Sequence, residues 1–413
     1  MKMIQRFPQG VVAVPPSKSM AHRALVCAAL AEGASWVSSP GDSQDIRATM
    51  GCLEALGARF AAQGGGWRVD GGDVTHGPCV LDCGESGTTL RFLIPIAAAL
   101  RPGEETRFVG KGKLMERPQG PYQELFGADG LAACAEGGLC LRKGLPQGRL
   151  RLPGNISSQF ISGLLLAFPL AGAGGEIIVE GALESASYVG MTAETMGAFG
   201  VEVQTQGNSY RIDPGQYYRP GCYTVEGDYS QAAFFLAASA LGCPVEVTGL
   251  SPASLQGDRV MLEILEQCGA RIRPGKAGGI VAEGGGLRGV DVDVAQCPDL
   301  VPVLAALLCL CRGESRILNA ARLRMKESDR LEAIAAELRK LGADISVEND
   351  GLRIRGKPRL QGNAVDSWND HRIAMALAVA AIGCEGPVVL TGEDAVAKSY
   401  PGFWDDFERG GRP

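Results

Sequence analysis

Apolar residues along the chain gather into six blocks long enough for a helix and apolar on every side. These are Ala24–Ala31, Phe92–Leu100, Ile161–Ala171, Ala232–Leu241, Leu300–Leu310 and Ile373–Ile382, whose starts are 68, 69, 71, 68 and 73 residues apart. A helix without a polar face has to sit inside a core. Between these blocks run amphipathic segments that stop at a glycine and give way to a strand-like run. EALGARF stops at Gly57, GAFGVEV at Gly200, EQCGARI at Gly269 and LRKLGADISV at Gly342, with weaker copies at Gly127 and Gly410. These glycines are 70, 73, 69, 73 and 68 apart. In the fifth copy Leu331, Ile334, Ala335, Leu338 and Leu341 mark one helical face. Glycine at such a stop supplies the left-handed residue that ends a helix.

Two landmarks keeping one period predict six units of about 69 residues, each with one buried helix, one amphipathic helix and strands. A chain of 413 residues exceeds what one core supports, so two domains of three units each are expected. With 46% apolar and 21% charged residues the chain is globular, and its 58 glycines serve turns, Gly64–Gly66 and Gly284–Gly286 among them. A net charge of −6 argues against a general polyanion binder. The 13 cysteines include no CxxC pair, and Cys27, Cys52, Cys309, Cys311 and Cys384 lie in apolar runs. They are read as buried free thiols in a reducing compartment rather than as metal ligands. The first residues, MKMIQRFPQG, carry no targeting pattern, and no apolar run suffices to span a membrane, so a cytoplasmic location is expected.

Polar residues collect just ahead of the helices. PPSKSMAHR precedes the first apolar block, GESGTTLR the second, GNISSQF the third, VEGDYSQ the fourth, QCPD the fifth and WNDHR the sixth. MERP, SASY, RLRMKESDR and AKSYPGF stand at the entrances of amphipathic segments. Helix N-termini favour anions, so Arg322, Arg324, Lys326 and Arg330 crowded at one entrance oppose both each other and the helix dipole. Glu327 and Asp329 offset part of this, and an anionic ligand is expected to supply the rest. The chain has no Walker A sequence, no GxGxxG after a strand, no HExxH and no GxSxG with a suitable histidine. Of three histidines, His76 is read as a loop residue. His22 and His371, beside Arg23 and Arg372, either line a site or serve packing.

The segments PSKSMAHRAL, ESGTTLRFL, RPQGPY, SSQFISGLLLA, RMKESDRL, NDHRIAMA and AKSYPGFW resemble, in order and spacing, those of the 5-enolpyruvylshikimate-3-phosphate synthase family. The resemblance covers essentially the whole chain. It implies an α/β fold, the two-domain inverse α/β barrel, with six βαβαββ repeats, three per domain, and the active site in the interdomain cleft. Domain I would comprise 1–14 and 228–413, and domain II 15–227. The implied reaction, a step of chorismate and aromatic amino-acid biosynthesis, moves the enolpyruvyl group of phosphoenolpyruvate to the 5-hydroxyl of shikimate 3-phosphate and releases phosphate.

By the same resemblance Lys18, Ser19, Arg23, Ser157, Ser158, Ser185, Tyr188, Asp299, Arg322 and Lys326 bind shikimate 3-phosphate. Lys18, Gly87, Arg117, Gln159, Arg330, Arg372 and Lys398 bind phosphoenolpyruvate. Asp299 is implied as base, Glu327 as acid and Lys18 as their assistant, with no cofactor or metal, two small-molecule substrates and a monomeric chain. Glyphosate competes with phosphoenolpyruvate in this family. Departures are visible: Glu85 and Arg322 where many members carry Asn, and Phe92 where others carry Pro; Arg322 can still pair with substrate phosphate, whereas Glu85 cannot donate to an anion. Two alternatives remain: a sister enzyme acting on UDP-N-acetylglucosamine, and a non-catalytic anion-binding protein on the same scaffold. The first expects Lys-Asn at Lys18-Ser19 and usually a cysteine in the loop that here reads GKGKLMERP. The second has no use for carboxylates beside anionic ligands.

Overall fold

Each apolar block is a helix in the structure, a computed structural model that describes residues 1–72 and 76–409. The helices are Lys18–Leu30, Gly87–Leu100, Ser158–Ala167, Tyr229–Ala240, Val301–Leu308 and His371–Ala381. Tyr229–Ala240 and His371–Ala381 are buried at every position, as a helix apolar all round must be. The third block runs on past its helix as the 3-10 turn Phe168–Ala171, since Pro169 cannot donate a helical hydrogen bond. The amphipathic helices Gln44–Ala55, Gly120–Phe126, Ala186–Ala198, Met261–Gln267 and Arg330–Lys340 run to Gly57, Gly127, Gly200, Gly269 and Gly342. All five glycines have positive φ, between 75° and 117°, which a side chain would strain. The sixth landmark, Gly410, lies outside the described residues.

The chain divides into two compact units, one of Met1–Pro15 with Glu226–Pro413 and one of Pro16–Val225. In the second unit three sheets share a pattern, in which a parallel pair is extended by two antiparallel strands. They are Cys222–Thr224, Gly33–Ser38, Gly66–Gly71 and Arg59–Gln63; then Cys79–Asp82, Thr106–Val109, Leu139–Leu141 and Leu131–Ala133; then Arg149–Pro153, Gly175–Glu180, Ser209–Ile212 and Gln204–Gln206. Alternate residues such as Leu150 and Leu152 turn inward onto the core built around Leu25, Leu93 and Leu164.

The first unit contains two sheets of the same pattern. One joins Gly10–Ala13, Val245–Thr248, Ile280–Glu283 and Arg271–Pro274; the other joins Val292–Asp293, Glu314–Leu318, Leu352–Arg355 and Asp344–Val347. A third sheet is completed from the chain's start: Lys2–Ile4 lies antiparallel to Val388–Thr391, which runs parallel to Ala364–Asp366. Among the described residues no helix is long and apolar enough to cross a membrane.

The cysteines depart from expectation. Cys134 and Cys140 form a disulfide with Cα atoms 5.4 Å apart, linking the residue just past the strand Leu131–Ala133 to the middle of its antiparallel neighbour Leu139–Leu141. A tight hairpin brings together two cysteines whose sequence spacing matches no familiar pair motif. Cys27, Cys52, Cys309 and Cys311 are buried free thiols as expected, Cys384 is half-buried and Cys222 is exposed.

Candidate active site

In the first unit, the turn ahead of the last central helix is held in an unusual conformation. Trp368 and Asn369 both take left-handed backbone angles, φ 54° and 53°, which side chains disfavour. Neighbours hold them there: Trp368 Nε1 donates to Glu337 Oε1 (2.8 Å), and Lys398 Nζ donates to the Asn369 carbonyl (2.6 Å). Asp370 then caps the helix by accepting from the Arg372 amide at 2.9 Å. The bend thus sets Asp370 and Arg372 in place.

Arg330 opens its own helix behind the cap Asp329 and is almost completely buried. Its guanidinium donates to Asp370 Oδ2 (2.8 Å), Asp299 Oδ1 (3.0 Å) and Glu327 Oε2 (2.7 Å). Arg372 donates to Asp299 Oδ2 at 3.0 Å, and Lys326 Nζ lies 3.7 Å from Asp299 Oδ1. Asp299 itself sits in the one-turn 3-10 segment Pro298–Leu300 that leads into Val301–Leu308. Burial pushes its carboxyl up, but Arg372, Lys326 and Arg330 outweigh that and hold it well below the usual carboxylate range. Burial pulls the Lys326 ammonium down to about 8, against the attraction of Asp299. Arg330 is raised instead, because Asp370, Glu327 and Asp299 overcome its desolvation. Arg322 donates to the Ala295 carbonyl.

This corrects the expected charge balance at that helix entrance. Arg330 is neutralised by the protein, partly by Asp299 and Asp370, which stand 31 and 40 residues away in sequence. Arg322 and Arg324 belong to a separate turn, Ala321–Met325, and Arg324 pairs with Asp329 at 3.0 Å. An anion arriving here meets a built ionic network rather than a cluster of unanswered cations.

A further carboxyl of this unit escaped the sequence reading. Asp258 is 2% exposed, and its Oδ2 accepts from Ser230 Oγ. Burial, then Asp299, pushes it up to about 7, with Arg372 opposing. A carboxyl raised from 3.8 costs stability progressively as pH climbs from about 4 to about 7. Asp258→Asn is therefore expected to exceed the wild type in stability by ~2–4 kcal/mol at pH 8 and to match it below pH 4. Urea denaturation across that range measures it, and a difference independent of pH would contradict the burial argument.

In the second unit, Gly87 begins its helix behind the cap Ser86, whose Oγ accepts from the Thr89 amide. A Cβ at Gly87 would come within 2.9 Å of Arg117 Nη1, 3.8 Å of Arg91 Nη1 and 3.9 Å of Gln159 Oε1. Gln159 accepts from Arg91 (2.8 Å) and donates to Thr88 Oγ1 (2.8 Å), beside Ser158 and the capping Ser157. Lys18 starts the first helix with Nζ 2.6 Å from Asp45 Oδ2. Arg23, one turn on, donates to the carbonyls of Ser19 (2.6 Å) and Tyr188 (2.9 Å). Ser185 stands just before Tyr188 in a left-handed conformation, φ 55°. Glu85 lies against the loop at Gly112, where a Cβ would sit 2.9 Å from its carboxylate.

The predicted residues thus assemble, within each unit, into small polar groups at the starts of helices. His22 is not exposed to a ligand there. It is buried, with Nδ1 2.8 Å from Thr49 Oγ1, and Thr49 continues through Thr89 to Ser86. Burial, with Lys18 and Arg23, lowers its pKa and keeps it neutral, a support for the Gly87 helix start. His371 is buried at the first position of its helix. Among residues left without a role by sequence, Asp370 lay inside the quoted NDHR motif, whereas nothing local marked Asp45 or Asp258.

The family described as EPSP synthase (3-phosphoshikimate 1-carboxyvinyltransferase) matches residues 4–407. The chain is 46% identical over 407 residues to the 3-phosphoshikimate 1-carboxyvinyltransferase of Clostridium kluyveri, covering 97% of this chain and 94% of that one. It is 44% identical to the Clostridium perfringens enzyme of the same name, covering 97% and 95%. Among solved structures, EPSP synthase from Acinetobacter baumannii superposes with TM-score 0.77 at 26% identity, covering 99% of this chain and 98% of that one. The enolpyruvyl transferase NikO from Streptomyces tendae, 18% identical with TM-score 0.76 over 98% and 95%, shares the fold.

Proposed function

The chain belongs to the EPSP synthase family, and on that premise we propose which of its residues carry the activity. The enzyme transfers the enolpyruvyl group of phosphoenolpyruvate to the 5-hydroxyl of shikimate 3-phosphate and releases phosphate. In the proposed assignment, Asp299 takes the hydroxyl proton as the acceptor oxygen bonds to the enol carbon. Glu327, with Lys18, protonates the methylene. Elimination then returns that proton, breaks the bond to phosphate and regenerates the double bond. The observation that carries this assignment is Arg330, whose one guanidinium holds both Asp299 (3.0 Å) and Glu327 (2.7 Å).

The same network supplies a way to tune the base. A donor anion drawn to Arg330 and Arg372 competes with Asp299 for their charge, so its carboxylate becomes more basic when the donor is present. Arg117, Gln159, Gly87, Lys18 and Lys398 complete the donor set. Lys18, Ser19, Arg23, Ser157, Ser158, Ser185, Tyr188, Asp299, Arg322 and Lys326 are assigned to shikimate 3-phosphate. The sheet order recurring in five sheets, one parallel pair and two antiparallel additions, supports a βαβαββ repeat, read as six copies in an inverse α/β barrel. We further read the chain as a cytoplasmic monomer.

Phosphate release is the direct test. It is expected with shikimate 3-phosphate as acceptor and absent with UDP-N-acetylglucosamine; the reverse result would overturn the reading. Glyphosate is expected to inhibit by competing with phosphoenolpyruvate. Gly87→Ala is expected to weaken that inhibition by tenfold or more (about 1.4 kcal/mol) while changing the phosphoenolpyruvate KM far less. The added methyl would push on the Arg117 guanidinium, and the longer inhibitor leaves less slack in a packed site. An unchanged inhibition constant at fixed shikimate 3-phosphate would remove Gly87 from the donor set.

A further inference from the structure

Four of the assigned site cations lean on carboxylates: Lys18 on Asp45, Arg330 on three, and Arg372 and Lys326 on Asp299. Arg23 does not. It is 2% exposed, yet among the described residues it forms no ion pair, and its donors go to Thr192 Oγ1 (2.8 Å) and the carbonyls of Ser19 and Tyr188. Thr192 is fixed in turn through its hydroxyl, which donates to Ser162 Oγ at 2.8 Å or to the Tyr188 carbonyl at 2.9 Å. Burial lowers the Arg23 guanidinium to about 10, which leaves it charged at neutral pH. What faces this charge is aromatic. The Phe92 ring centroid lies 5.2 Å from Arg23 Cζ and the Tyr188 ring 5.9 Å from it. Phe92 is itself buried, one turn into the helix that begins at Gly87.

The two kinds of partner differ in what they leave for a ligand. A carboxylate cancels most of a cation's field and has to be shared or displaced when an anion arrives. A ring face stabilises the cation through its quadrupole and takes away no net charge. We propose that Phe92 is a positioning residue for the acceptor: its ring holds Arg23 in place with its charge unquenched, so that shikimate 3-phosphate meets a full guanidinium. The proposal rests on the assignment of Arg23 to that substrate. The packing of Phe92 in the core explains its burial, but packing alone requires only shape. The hold on a cation depends on electron density at the ring face.

Fluorination separates the two, because it withdraws that density at nearly constant shape. Full-length enzyme carrying phenylalanine, 4-fluoro-, 3,5-difluoro- or 3,4,5-trifluorophenylalanine at 92 is expected to bind shikimate 3-phosphate progressively more weakly, by roughly tenfold at the trifluoro ring. Melting temperature and the phosphoenolpyruvate KM at saturating acceptor should stay near wild type. Phe92→Tyr should preserve acceptor affinity and Phe92→Leu should lose it. A flat fluorine series alongside an Arg23→Gln variant that loses acceptor binding would overturn the role of the ring alone. Unchanged acceptor binding in Arg23→Gln would overturn the assignment of Arg23 and the proposal with it.

Discussion

Asp299→Asn is expected to lower turnover by roughly 10²-fold or more, the scale of a lost general base, while shikimate 3-phosphate still binds. Asparagine keeps the shape and can still accept from Arg372 or Arg330 through one oxygen, so the pocket survives without the proton acceptor. Stability shifts as well. Although burial opposes it, the cations around Asp299 hold its pKa below the unfolded value of 3.8. Its stabilisation is therefore complete above that value and lost as pH falls toward the folded one. The variant's stability deficit should then be full at neutral pH and fade in strong acid. Phosphate release and equilibrium binding of shikimate 3-phosphate separate chemistry from affinity. Near-normal turnover would remove Asp299 from the role of base.

Arg330→Met is expected to cost about 3–5 kcal/mol of folding stability, because it takes away a cation shared by three carboxylates and strands Asp370, while Asp299 keeps Arg372 and Lys326. Asp370 is completely buried, so solvent cannot replace the lost partner. Lowering the pH should shrink the deficit, since protonation of the stranded groups relieves their repulsion. Adding Asp370→Asn to the variant should recover part of the loss, a coupling that a double-mutant cycle measures. Arg330→Lys should recover less than the wild type, because one ammonium cannot reproduce the planar fork that reaches three acceptors. Turnover should fall in every variant, as Asp299 and Glu327 lose their common tether. A denaturation midpoint shifted by less than the equivalent of ~1 kcal/mol would show that the network contributes little to folding.

The period of about 70 residues is written locally. A helix apolar on all sides announces its own burial, and a glycine ending an amphipathic run announces its own left-handed turn. Those features need no knowledge of neighbours, so the six central helices and five described glycine stops were visible in the residues themselves. So were the polar helix entrances, since Ser86, Ser157 and Asp370 are ordinary capping residues ahead of apolar runs.

What surrounds those entrances was decided only in three dimensions. Lys326, Arg330 and their neighbours read as surplus positive charge until Asp299 and Asp370 arrive from other turns to answer it. Cys134 and Cys140 read as lone thiols until a hairpin joins them. Phe92 is one more apolar residue of its block until its ring meets Arg23, 69 positions earlier in the chain. Periodicity records which face of an element is buried. Ion pairs and ring contacts act through a few ångströms of space, with no period along the chain, so only the packing of one element on another settles them.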